Sequence, residues 1–286
     1  MSINQKLSND LLDIQQIAIK VADEVFNQLE VGMTEIDAVN LLKESGKNRG
    51  ISHYFHYPFA WFGDRTMFKN FSQPLPILSK STWKKIQLPK SLKELPHFGQ
   101  EFMPSNIKLE NNMPVILDLA PVKNDVFADI GHSKFFGDSD EHKNMMAFLD
   151  KLKMQIPDII RTEKKINRIY SHIDRLIADN DYINCHGLYP LGVLGHKVGK
   201  YPKLKLPIRK FSLMGFAPEA FIFLLAQNLT APFYYSKKTP FLTADINQEI
   251  SDGYWAIEPH IGFDNMGAKF EEILIINGNT IEWLSQ

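Results

Sequence analysis

The sequence predicts an α+β chain. Three observations point there: long stretches in which apolar residues recur at helical spacing, two runs of β-type residues that each fold back through a turn-forming pair, and acidic residues set inside both of those apolar runs. The first helix is expected over residues 10 to 30, where Leu11, Ile14, Ala18, Val21, Ala22, Val25 and Leu29 line one face. Gly32 ends it. Thr34 then caps a second helix, with Asp37 in the capping-box position. Ala38, Leu41 and Leu42 form its apolar face, and Gly46 and Gly50 close it. Residues 51 to 77 are aromatic-rich and read as strands and loops. Residues 78 to 112 carry lysine, serine and proline with little periodicity, which predicts a long surface excursion of the kind that often serves as a lid. Residues 139 to 180 read as helical, broken at Pro157, with Ser139 or Asp140 capping the first piece and Thr162 the second. The final third reads as strands and loops, and no internal repeat or low-complexity tract interrupts it.

Bulk properties narrow the function. A chain of 286 residues can bury one large core, and a formal charge of -1 gives no global attraction to nucleic acid or to an anionic membrane. The single cysteine, Cys185, excludes an internal disulfide and any multi-cysteine metal site. No secretory leader is evident at the N-terminus, and no apolar stretch is long enough to span a bilayer. Together these predict a cytoplasmic protein.

The acidic residues carry the chemistry. Pro114 to Ala120 (PVILDLA) and Val126 to Phe136 form the first hairpin. A turn at Lys123-Asn124 sets Asp118 directly opposite Asp129, and a turn at Asn124-Asp125 makes the two diagonal neighbours. Either register leaves both carboxylates on one face, because side chains alternate along a strand. Tyr254 to Phe263 and Ala268 to Ile276 form the second hairpin. A turn at Asp264-Asn265 sets Glu258 opposite Glu271 and sends Glu272 to the other face, whereas a longer loop taking in Met266 and Gly267 would shift that register. Opposed like charges cost about 0.2–1 kcal/mol across strands in water, and burial adds to that. Two such pairs need a compensating cation, unless they are exposed edge carboxylates or pair with lysines. His196, in the run Leu-Gly-His-Lys-Val-Gly, is flanked by glycine and can approach a metal with little obstruction.

The order of these residues and their contexts, LDLAP, ADIGHS, GHKVG, IEPHIG and AKFEE, resembles the M24-type metallopeptidases, the methionine aminopeptidases and Xaa-Pro peptidases. The resemblance runs from about Gly32 to the C-terminus. It implies the pita-bread fold, a curved antiparallel sheet flanked by helices with the metal site on the sheet. It implies one catalytic domain over residues 1 to 286, without the N-terminal domain of creatinases and prolidases. It also implies that Asp118 binds one metal, His196 and Glu258 the other, and that Asp129 and Glu271 bridge both. Such a ligand set suits two divalent ions of manganese, iron, cobalt or zinc. A bridging hydroxide would then attack an amide carbonyl of a small or Xaa-Pro-like peptide. The fold commonly forms dimers.

The sequence departs from the family at the substrate-binding histidines. The one expected seven residues after His196 is Lys203, a cation suited to a substrate carboxylate. The one expected upstream of Asp118 aligns with Phe71, leaving His53, His56 and His97 as substitutes. Of these, His56, followed by Gly63-x-x-Thr66, resembles a segment of the Xaa-Pro peptidase branch. His260 lies two residues from Glu258 and therefore on its face, whereas His132 lies on the face opposite Asp129. Lys203, His56 and His260 are thus the candidate catalytic residues beside the five metal ligands. The leading expectation is a dinuclear metallohydrolase acting on a small-molecule or short-peptide substrate. The alternatives are an iron-dependent oxygen-activating enzyme on an amino-acid-like metabolite and a metal-binding relative without catalysis.

Overall fold

A computed structural model describes residues 5–51, 53–69, 102–189, 192–201, 220 and 240–284. Two N-terminal helices, α1 (Gln5–Gln28) and α2 (Glu35–Asn48), precede two short strands, β1 (His53–Tyr54) and β2 (Phe59–Phe62). The first hairpin follows as β3 (Met113–Leu119), β4 (Pro121–Lys123), β5 (Val126–Phe127) and β6 (Ile130–Phe136). Next come α3 (Asp140–Glu163), α4 (Ile166–Asp179), β7 (Ile183–Asn184), β8 (Gly195–Lys197), β9 (Gly199–Lys200) and β10 (Phe241–Leu242). The chain closes with β11 (Gly253–Ile257), β12 (His260–Phe263), β13 (Met266–Asn277) and β14 (Thr280–Trp283). The expected excursion at 78–112 lies outside the described residues up to position 101.

Among the described residues all strand pairs are antiparallel, and the main sheet runs β10-β8-β11-β13-β6-β3-β2, strongly curled, with helices against it. The twelve-residue β13 is its hub, pairing with β11, β12, β14 and β6. Alternation along β13 sorts its side chains. Ala268, Phe270, Leu274 and Ile276 join the core beneath α3 and α4, with Leu149, Leu152, Ile169 and Ile173. Ile273 and Ile275 pack instead with Leu11 and Ile14 of α1. Glu271 and Lys269 share the parity of Ile273, so they stand on the α1 side, where the functional groups gather.

The helix caps follow the sequence in one half of the molecule and depart from it in the other. Thr34 accepts the Asp37 amide while Asp37 accepts the Thr34 amide, the expected capping box. Ser139 caps α3 by accepting from the His142 amide. Pro157, however, lies inside α3 and does not break it. Proline costs a helix the bond to the carbonyl four residues back. Here that carbonyl, on Lys153, accepts the Trp283 indole N–H at 3.0 Å. Nor does Thr162 cap the next helix. Lys164, at φ 57°, turns the chain, and the first amides of α4 donate to the backbone of Gln248 and Ile246. Backbone carbonyls of the segment between β10 and β11 thus replace a side-chain cap.

Candidate metal centre

The turn of the first hairpin is Asn124-Asp125, with both residues in the left-handed region (φ 53° and 60°), as a two-residue primed turn requires. This selects the diagonal register. Asp118 pairs with Gly131, two residues beyond Asp129. The ribbon is interrupted at Ala128-Asp129, between β5 and β6, so Asp129 is freed from regular pairing. In the second hairpin the turn is at Asp264-Asn265, as expected, and Phe263 pairs with Met266. Glu258-Pro259 interrupts β11 and β12, between the pairs Ile257–Glu272 and His260–Lys269. Glu258 therefore lies across from Glu271. Its amide donates to the Leu194 carbonyl, which ties it to the strand carrying His196. Glu272 points to the other face and pairs with Lys153 of α3. His132 shares that outer side with Glu272 and Lys153, and burial lowers its pKa.

The four carboxylates Asp118, Asp129, Glu258 and Glu271 are all buried, so they are not exposed edge groups. Two histidines meet them. His196 Nε2 lies 3.3 Å from Asp129 Oδ2 and 3.7 Å from Glu271 Oε1. His56 Nε2 lies 3.1 Å from Asp129 Oδ1 and 3.4 Å from Asp118 Oδ1. Each ring directs its Nδ1 at a backbone carbonyl, Tyr57 for His56 (2.8 Å) and Lys197 for His196 (3.2 Å). An imidazole that donates from Nδ1 presents its Nε2 to a metal once the Nε2 proton has left, which is how second-shell carbonyls orient ligating histidines. Two groups of three donors result, Asp129 with His196 and Glu271, and Asp129 with His56 and Asp118. The residues fit a divalent cation on this chemistry.

Electrostatics reflect the crowding. Burial disfavours the His56 imidazolium, but Asp129 and Asp118 outweigh it and raise the His56 pKa to about 9. The same contest, with Asp129 and Glu271 as partners, lifts His196 well above its ordinary value. Burial also acts against the Asp129 carboxylate, yet His56 and His196 hold its pKa well below the usual range. Asp118 rises to about 6, through burial and its carboxylate neighbours, despite Lys269. Glu258 is pushed well above its ordinary value by burial and by Glu271.

The feature the sequence reading missed is Lys269. Its side chain is 1% exposed, and Nζ donates to Asp118 Oδ2 at 2.7 Å, Glu271 Oε2 at 2.9 Å and Glu258 Oε2 at 3.2 Å. Burial opposes its charge, but Asp118 and Glu271 hold its pKa well above the ordinary value. A signal was present: Lys269 stands two residues before Glu271 on one strand, hence on the same face.

The remaining candidates divide. His56 enters the site. His260 does not touch a carboxylate: its Nδ1 bonds the Tyr189 hydroxyl at 3.0 Å and its ring packs edge-on against Phe68. Burial, with Lys269 nearby, holds its pKa well below the ordinary histidine value. Lys203, His97 and Phe71 lie outside the described residues. His53 packs its ring against Tyr201. The Gly63-x-x-Thr66 segment has a structural task. Thr66 Oγ1 donates to the Gly63 carbonyl and accepts the Gly267 amide at 2.8 Å, clamping the end of the hairpin that carries Lys269 and Glu271.

This sheet and its cluster of carboxylates and histidines define a metallopeptidase-type fold. The model of metallopeptidase family M24 matches residues 10–209, and the chain belongs to that family. Among solved structures, the X-Pro aminopeptidase of Thermotoga maritima is similar at TM-score 0.66 and 14% identity, over 100% of this chain and 62% of that one. The prolidase of Pyrococcus furiosus is similar at TM-score 0.65 and 14% identity, over 99% and 64%. The methionine aminopeptidase of Rickettsia prowazekii is similar at TM-score 0.60 and 10% identity, over 100% and 99%. The chain thus spans about three-fifths of the length of the first two. A search of curated proteins finds no match. Among the described residues, no helix is long and apolar enough to cross a membrane.

Proposed function

We propose that this chain is a metal-dependent hydrolase that cleaves an amide or peptide bond near a free terminus of a small or Xaa-Pro-like substrate. The observation that carries the reading is the convergence of four buried carboxylates with the Nε2 atoms of His56 and His196. Manganese, iron, cobalt and zinc all suit such donors. When bound, the ion supplies a water acidic enough to ionise near neutral pH and polarises the scissile carbonyl.

The chain's own residues set the stage for that chemistry. The Tyr57 and Lys197 carbonyls fix the tautomer and direction of the two imidazoles. The Thr66 clamp and the Ser133 hydroxyl, which accepts the Lys269 amide at 2.7 Å, fix β13 against its neighbours. Lys203 is the candidate for binding a substrate carboxylate. The test is to load the protein separately with each of the four metals and offer a broad set of dipeptides and Xaa-Pro peptides. Release of a free amino acid, abolished by chelator, is expected. No release from protein with metal demonstrably bound would sink the hydrolase reading. Oxygen uptake by the iron-loaded protein with an amino-acid-like substrate would replace it with the oxygen-activating one.

A further inference from the structure

We propose that Lys269 takes the place of one of the two metal ions, so that the centre holds a single divalent ion between Asp129, His196 and Glu271. The inference rests on the metal-dependent reading above and changes its stoichiometry.

The position of the ammonium is the first ground. Nζ lies within 3.2 Å of oxygens from Asp118, Glu258 and Glu271, three of the five residues expected to ligate metal. An ion coordinated by those same oxygens at about 2.0–2.2 Å would have to displace the ammonium. The space for the ammonium is built in. Gly131 sits in register between Asp118 on β3 and Glu271 on β13. A Cβ on Gly131 would lie 2.6 Å from Lys269 Cε and 2.9 Å from Nζ. The absence of a side chain there makes the cradle in which the lysine lies. Ser133 fixes the lysine's backbone on both sides, accepting its amide at 2.7 Å and donating to its carbonyl at 2.8 Å.

What the lysine leaves free is the second ground. Asp118 spends Oδ2 on Lys269, and its Oδ1 faces His56 at 3.4 Å. Glu258 spends Oε2 on Lys269. Glu271 spends only Oε2, and its Oε1 faces His196 Nε2 at 3.7 Å, with Asp129 Oδ2 at 3.3 Å from the same nitrogen. These separations exceed a close hydrogen bond. They match donors spread around one ion, at about 2.0–2.2 Å from each. Charge agrees. Four carboxylates and one ammonium leave three negative charges, which one divalent ion reduces to one. A second, held by Asp118 and Glu258, would set a divalent cation directly beside the ammonium.

The experiment is a titration of chelator-treated full-length protein with Mn²⁺ by calorimetry, with elemental analysis after gel filtration and electron paramagnetic resonance of the loaded protein. One equivalent and the signal of an isolated Mn²⁺ are expected for the wild type. Two equivalents, or a magnetically coupled pair, would overturn the proposal while leaving the metallohydrolase reading standing. No bound metal would overturn both. Lys269→Gln is expected to take up two equivalents; a folded variant that stays at one would overturn the proposal. If that variant does not fold, the wild-type stoichiometry and spectrum decide alone.

Discussion

The hairpin at 113–136 and the hairpin at 253–277 each carry two carboxylates to one face of the sheet, and only the second brings its own cation. In the first, Asp118 and Asp129 are met by His56, an imidazole from the segment between β1 and β2. In the second, Glu258 and Glu271 are met by Lys269 from within β13 itself. The cause is positional. Lys269 pairs across strands with His260 and precedes Glu271 by two residues, so alternation delivers the ammonium to the carboxylate face. The first hairpin has Gly131 at the corresponding place between the strands, and donates room rather than charge. The second hairpin therefore supplies part of its own countercharge, and lends it to Asp118 as well, while the first draws all of its countercharge from elsewhere in the fold.

The sharpest way to break this comparison is to remove the residue that both donor groups share. Asp129 faces His56 with one oxygen and His196 with the other. Asp129→Ala should abolish stoichiometric metal binding. The expected loss exceeds the roughly 10–100-fold that outer-shell partners cost. Retention of wild-type affinity by calorimetry would show that the metal does not sit in the first hairpin at all.

Lys269→Met, measured in chelator, should be the most destabilising change in the second hairpin. It strands Asp118, Glu258 and Glu271 without their shared cation, and breaking a buried pair from one side costs about 3–5 kcal/mol. Adding Mn²⁺ should recover part of the loss, because a metal that binds only the folded state stabilises it. Denaturant melts with and without metal read this directly. A loss below about 1 kcal/mol in chelator would mean that the carboxylates had taken up protons and that the lysine is dispensable to the fold.

How much of this was legible in the sequence differs between the same two hairpins. Both turns have the residues that primed turns demand, and alternation alone could set Asp118 with Asp129, and for the chosen turn Glu258 with Glu271, on one face of their own hairpins; that the two pairs meet came from the family resemblance. The register of the second hairpin follows from Asp264-Asn265 and holds along β11 and β12. For the first, Lys123-Asn124 and Asn124-Asp125 are comparable turn formers, and only the structure selects the second. Lys269 was on the correct face by spacing. Its burial was not legible, because it depends on Gly131 lying between β3 and β13, a pairing of the two hairpins with each other. His56 was a candidate through its resemblance to a family segment. Nothing local reveals that its ring reaches Asp129, 73 residues away. The unbroken α3 is illegible for the same reason, since Pro157 is tolerated through Trp283, far along the chain.

His56→Ala is the next probe. It should cost the first hairpin about 1–3 kcal/mol, the penalty of leaving buried acceptors without a donor. A single Mn²⁺ should still bind between Asp129, His196 and Glu271. Loss of that ion on removing His56 would move the metal to the Asp118 side of the cluster and leave His196 as a bystander.

The smallest effect separates the two faces of β13. Glu272 follows Glu271 directly but turns to α3, where it pairs with Lys153. Lys153 is partly exposed, so the pair resembles a surface ion pair more than the cluster across the strand. Glu272→Gln should lower stability by about 1 kcal/mol or less and leave metal affinity unchanged. Adjacent glutamates would then differ in kind: one answers to the metal, the other only to the helix behind it. A fall in metal affinity in this variant would mean that β13 transmits strain between its faces, and that the chemistry of the site is set by the whole strand rather than by alternate residues.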